Sequence, residues 1–141
     1  SLIMDHIEYV DVEVIELALV HNIFEVSPDN AKSVEDKLGN EQIMCLKTLT
    51  IDRDQQSDST YLASYYQGIS KSPEMARIVK VFDKLDNMFI VCINPNEKIR
   101  STYFKEIEEH VIPLLRLVKP ELEDFFLEVI EDTKALGHIP L

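Results

Sequence analysis

Along most of the chain apolar residues recur at helical rather than alternating spacing, with polar residues breaking the pattern at a few informative points. From Val10 to Glu25 the residues Val12, Val14, Ile15, Leu17, Ala18, Leu19, Val20, Ile23 and Phe24 are apolar almost all round. That predicts a helix in the middle of a core. Its β-branched content would also permit a strand, but its length favours helix. Ser27-Pro28 ends this segment and starts the next, Asn30 to Leu38, a short polar helix for which Gly39-Asn40 reads as a C-terminal cap.

Glu41 to Leu49 resumes as an apolar helix, and Ile51 to Thr60 has no apolar periodicity and reads as a loop, a candidate flexible lid. Tyr61 to Ile69 is a further helix. Ser72-Pro73-Glu74 opens Met75 to Ile93, apolar on most sides with Asp83, Asp86 and Asn87 inside it, and Asn94-Pro95-Asn96 breaks that helix. Ser101 to Val118, with a kink expected at Pro113, and Glu121 to Leu136, capped by Gly137, complete the pattern. No internal repeat and no strand pair emerges. The expected architecture is one all-α domain over residues 1–141, with two unusually buried helices.

Composition narrows the class. The 141 residues are 45% hydrophobic and 28% charged, which is globular and long enough to bury a core. No apolar run approaches the roughly 20 residues that cross a bilayer. No secretory signal is visible either, so a cytoplasmic protein is the default. Cys45 and Cys92 lie in apolar surroundings and read as buried thiols, although a pairing stays open. With 26 acidic against 14 basic residues the net charge is -12, which argues against nucleic acid and membrane surfaces as partners. It also works against a phosphorylated substrate, unless a metal or a local basic cluster reverses the field at the site. The acidic, apolar-rich last two helices are compatible with a homo-oligomer.

The candidate chemistry lies where polar groups interrupt the two apolar helices. His21 and Glu25 are four apart and share a face, as do Asp83 and Asn87. Burying such groups costs several kcal/mol unless they are paired or ligate a metal. If the two helices pack together, the four converge on one pocket, and an imidazole with a carboxylate suits Mn, Fe or Zn. An i, i+4 polar pair is equally what a buried bridge between helices looks like. His6, His110 and His138 have no partner at metal-ligand spacing; the first two are expected at the surface.

Three stretches carry a resemblance, in matching order. Asp11 to Glu25 resembles a helix ending in Ala-Leu-Leu-His-Asp-x-x-Glu-Asp, and Cys45 to Thr50 resembles a short Leu-Thr element. Tyr66 with Pro73 to Met88 resembles Tyr…Pro-x-Ala-Arg-x-Val-Lys-x-Ala-Asp-x-x-x-Asn. Together they resemble the HD-superfamily phosphohydrolases, in the stringent-response (RelA/SpoT-type) branch, over about residues 10 to 110. The resemblance implies an HD-domain helical bundle and hydrolysis of a guanosine polyphosphate such as ppGpp by water activated on one divalent metal, usually Mn²⁺. It further implies His21, Asn22 and Asp83 at metal-ligand positions, Glu25 as the first catalytic acid, and Asn87, Lys47 and Thr50 on the substrate side.

The chain departs from that pattern at decisive places. Asn22 stands where the doublet has aspartate, and Val26 where the second catalytic acid belongs. The family's first histidine and its basic substrate-binding segment would precede Ser1, and His6 is too close to His21 to replace that histidine. The resemblance therefore implies either a hydrolase with an altered site or a degenerate domain kept for nucleotide sensing or protein interaction.

Overall fold

The computed structural model describes Ile3, Ile7, Glu8 and residues 10–140. Among these the chain is an all-α bundle without strands. The helices are α1 (Val12–Val20), α2 (Ile23–Val26), α3 (Pro28–Glu35), α4 (Asn40–Leu49), α5 (Ser59–Ser70), α6 (Glu74–Val91) and α7 (Glu97–Glu106). A π turn (Ile107–Val111) leads into α8 (Ile112–Val118), and a 3-10 turn (Pro120–Leu122) into α9 (Glu123–Leu136).

α6 organises the bundle. It packs against α1, α4, α5, α7, α8 and α9, and its 18 residues make a rod about 27 Å long at 1.5 Å per residue. Its inner face supplies Val79, Phe82, Leu85 and Met88, none more than 1% exposed, and Phe82 meets Phe126 of α9 edge-on. Leu17 of α1, Leu46 of α4, Ile69 of α5 and Leu115 of α8 close round them into one core cluster. Cys45 and Cys92 are free thiols inside that cluster, and burial raises the pKa of each above its ordinary value. Such thiols behave as small apolar side chains rather than nucleophiles. No helix among the described residues is long and apolar enough to cross a membrane.

Several sequence expectations are corrected. The run from Val10 to Glu25 is not one buried helix. α1 buries only Val14 and Leu17, while Val12 and Leu19 are 65% and 80% exposed, because α1 packs on α4 and α6 from one side. It stops at Val20, and the Ala18 carbonyl, which a continuing helix would offer to the Asn22 N–H, instead lies 2.6 Å from His21 Nδ1.

Gly39 does not close the short polar helix, which already ends at Glu35. With φ -70° it is the N-cap of α4, and its N–H donates to Gln42 Oε1 at 2.8 Å. The buried Gln42 amide in turn donates to Glu16 Oε2 and to the Glu13 carbonyl, tying α4 to α1.

Just before Pro113 the chain widens into a π turn. Proline offers no N–H to the turn before it and its ring crowds the carbonyl four residues back; a wider turn relieves both. Gly137 does cap α9, at φ 67°, where a Cβ would be strained.

Candidate functional site

The site is built on a polar stripe of α6. Lys80, Asp83, Lys84 and Asn87 stand at i, i+3, i+4 and i+7, so they share one face while the apolar residues between them enter the core. Opposite this stripe the break after α1 presents His21. Its Nε2 approaches Asp83 Oδ1 to 3.2 Å, and Asn87 Nδ2 donates to the same oxygen at 2.9 Å.

The His21–Asp83 approach is an ion-pair distance without the direction of a hydrogen bond, so buried Nε2 keeps no directed partner. Burial opposes charge on His21, but Asp83 and the Ala18 carbonyl outweigh it and raise its pKa above the ordinary 6.5. Burial likewise pushes Asp83 up, and His21, Lys80 and Lys84 more than reverse this, holding its carboxyl below the ordinary range. Both shifts favour an imidazolium–carboxylate pair.

Beside the pair lies a cleft of about 500 Å³ with walls from the α1–α2 break, the 50–58 loop, α6 and α7. Glu25 forms one edge, and its carboxylate accepts Ile51 N–H at 3.3 Å and Arg53 Nε at 3.0 Å, holding the loop in place. Across the cleft Lys84 pairs with Glu106 at 2.8 Å, and Glu106 also accepts the Tyr66 hydroxyl at 2.6 Å. Burial opposes charge on Glu106, but Lys84, Tyr66 and Lys80 together hold it below the ordinary carboxylate range. The Tyr66 ring stacks on His110, centroids 4.8 Å apart, so His110 is a half-buried packing partner rather than a surface residue. Lys80 is only 7% exposed, with its Nζ 5.0 Å from the Tyr65 ring centroid and 5.8 Å from that of Tyr66.

Of the sequence-derived candidates, the structure brings Asn22, Glu25 and Asp83 to the cleft, with His21 behind Asp83. Asn87 touches Asp83 but lines a neighbouring depression with Tyr103 and Ile90. Lys47 and Thr50 do not line the cleft. Exposed Lys47 reaches Glu35 at 3.6 Å, and the Thr50 hydroxyl donates to the Leu46 carbonyl at the end of its own helix. Val26 is 70% exposed and brings no acid, His138 is exposed, and His6 lies outside the described residues.

Lys80, Lys84, Arg53 and Glu106 escaped the sequence reading. The first two were legible as members of the i, i+3, i+4, i+7 stripe that also holds Asp83 and Asn87. Arg53 and Glu106 reach the cleft only through tertiary packing.

A divalent metal such as Mn²⁺ needs several strong oxygen or nitrogen donors at one point. With Nδ1 held on the Ala18 carbonyl, His21 turns Nε2 toward Asp83, and it would serve as a metal-binding imidazole only after giving up the proton that the pair favours. Asn22 contributes at most a neutral amide oxygen, and among the described residues no third His, Cys, Asp or Glu joins the pair. One imidazole and one carboxylate are too few strong donors to hold Mn²⁺ against water, so the residues described do not fit the ion by themselves. Compared with models of known protein families, with curated proteins and with solved structures, the chain matches none.

Proposed function

We propose that the chain is an HD-like helical domain that has lost hydrolytic chemistry and binds a phosphorylated nucleotide, such as a guanosine polyphosphate, as a sensing module. The observation that carries this reading is the cleft beside the His21–Asp83 pair. Arg53, Lys80, Lys84 and Lys98 line it against the carboxylates Glu25, Asp83 and Glu106, four cations to three anions. The whole chain carries 14 cations against 26 anions, so this is a local reversal of the field of the kind a phosphate ligand needs. The loss of chemistry is supported by Asn22 and Val26 at the two positions where the resembled family has acids. Glu25 is occupied with the loop.

A second reading, a Mn²⁺-dependent hydrolase with an altered site, is favoured by one observation, the undirected Nε2 of His21 facing Asp83. One experiment separates the two. The purified protein is loaded with Mn²⁺, its metal content measured by elemental analysis, and guanosine tetraphosphate binding and hydrolysis followed in the same sample. Binding without turnover, unchanged by Mn²⁺, is the expected result. Stoichiometric metal with turnover would establish the hydrolase instead, and no binding at all would sink the nucleotide reading.

A further inference from the structure

Lys80 differs from every other cation of the cleft. Arg53 has Glu25 and Lys84 has Glu106, each at 3.0 Å or less, and Lys98 is open to solvent. Lys80 is 93% buried by its 7% exposure, yet makes no hydrogen bond or ion pair with the described residues. The Tyr65 and Tyr66 rings attract its charge but offer no in-plane lone pair to its three N–H donors.

A largely buried lysine whose ammonium has no protein acceptor costs more than a paired one, and here the ammonium stands at the wall of an open cleft rather than in the dry core. The groups facing it are Lys84 and Asp83 from its own helix, Glu106 from α7, Glu25 from α2, and the tyrosines of α5. Burial first and Lys84 second push its pKa down to about 8, so at neutral pH it is still largely an ammonium.

We infer that Lys80 is the anchor of an oxyanion subsite in this cleft, where a phosphate or pyrophosphate group of the ligand accepts the ammonium hydrogens from the open side while the tyrosine rings hold it from behind. The proposal rests on the nucleotide reading only for the nucleoside part of the ligand; the subsite itself takes the phosphate. Lys84 stands beside it on the same helix, and Arg53 lines the same cleft. Because both are already paired, they supply field rather than the first contact.

The test is calorimetric titration of the protein with pyrophosphate alone and, separately, with guanosine tetraphosphate, in the wild type, Lys80→Met and Lys47→Met. Lys47 lies outside the cleft, so its variant removes the same charge without touching the subsite. Pyrophosphate binding that weakens at least tenfold in Lys80→Met and stays within about twofold in Lys47→Met is the expected result, the tenfold being equivalent to about 1.4 kcal/mol.

Lys80→Met disturbs a packed position and can unfold the domain, so the titration is also followed in wild-type protein by NMR of the lysine Cε–Hε groups. A Lys80 signal that shifts and saturates with pyrophosphate supports the subsite. Pyrophosphate that binds without moving it, or fails to bind, overturns the subsite. Tetraphosphate binding with Lys80 unmoved would spare the nucleotide reading and remove the subsite. Pyrophosphate binding at Lys80 with no gain from the nucleoside would do the reverse.

Discussion

The two faces of α6 use the same backbone for opposite purposes. On one, Phe82, Leu85 and Met88 are sealed against Leu115, Phe126 and Ile130, a dry contact whose stability comes from apolar area and close packing. On the other, Lys80, Asp83, Lys84 and Asn87 meet His21, Glu106 and a cleft, and almost every group there is held by a charged or hydrogen-bonded partner. The residues that form the apolar contact bring no polar side-chain atom into it. The polar face keeps His21 Nε2 without a directed bond and, at the wall of the cleft, a Lys80 ammonium with no acceptor among the described residues. Unmet demand on a rigid helix is affordable only where a ligand or water can meet it, and that is what separates a site from a core.

The largest effect is expected on the dry face. Leu85→Ala leaves a cavity where no solvent enters and is expected to lower stability by about 3 kcal/mol in urea unfolding. A loss below about 1 kcal/mol would mean that this face is not the packed one.

On the polar face, His21→Gln is expected to cost about 1.5 kcal/mol at pH 5.5, the range of a hydrogen-bonded charged group. The pKa of His21 is raised by folding, so its contribution is complete below its ordinary 6.5 and lost as pH rises through the raised folded value. That of Asp83 is lowered, so its contribution is present above its ordinary 3.8 and lost as pH falls through the lowered folded value. The pair therefore stabilises most between those two ordinary values. The gap between wild type and His21→Gln should narrow by pH 8.5; a gap independent of pH would show that the imidazolium pair does not form.

The smallest effect is expected at the rim. Arg53 is 60% exposed, and Arg53→Ala should change global stability by only about 0.5 kcal/mol. It should nonetheless speed amide exchange at Ile51 and its neighbours, because Glu25 would keep only one of its two holds on the loop. Unchanged exchange would dissociate Glu25 from loop positioning.

The helices themselves were largely legible, because helical periodicity is a local property. α4, α5, α6 and α9 fall within two residues of their expected limits. Where limits moved further, a side chain decided them. Asn96 accepts the Lys98 and Ile99 N–H groups and starts α7 at Glu97, four residues before the expected Ser101. Asp58 caps α5 in the same way through Thr60 and Tyr61, although that helix starts only two residues before the expected Tyr61. The failure at Val10 to Glu25 has another origin. Apolar residues on all sides announce burial only if neighbours surround the helix, and α1 has them on one side.

The sequence by itself determined an all-α chain, the apolar faces of its longer helices, two buried thiols, and the polar interruptions at His21 and Asp83. These follow from spacing along one strand of backbone. Only the tertiary structure decided that His21 meets Asp83, that Glu25 serves the loop, and that Lys47 and Thr50 stay outside the cleft. It alone placed Glu106 and Arg53 in the same cleft as Lys80, since residues from α6, α7 and the loop come together only after the core has set the helices against each other. A local pattern tells which face of a helix is polar, whereas the charge partner and the open space in front of that face are properties of the neighbours.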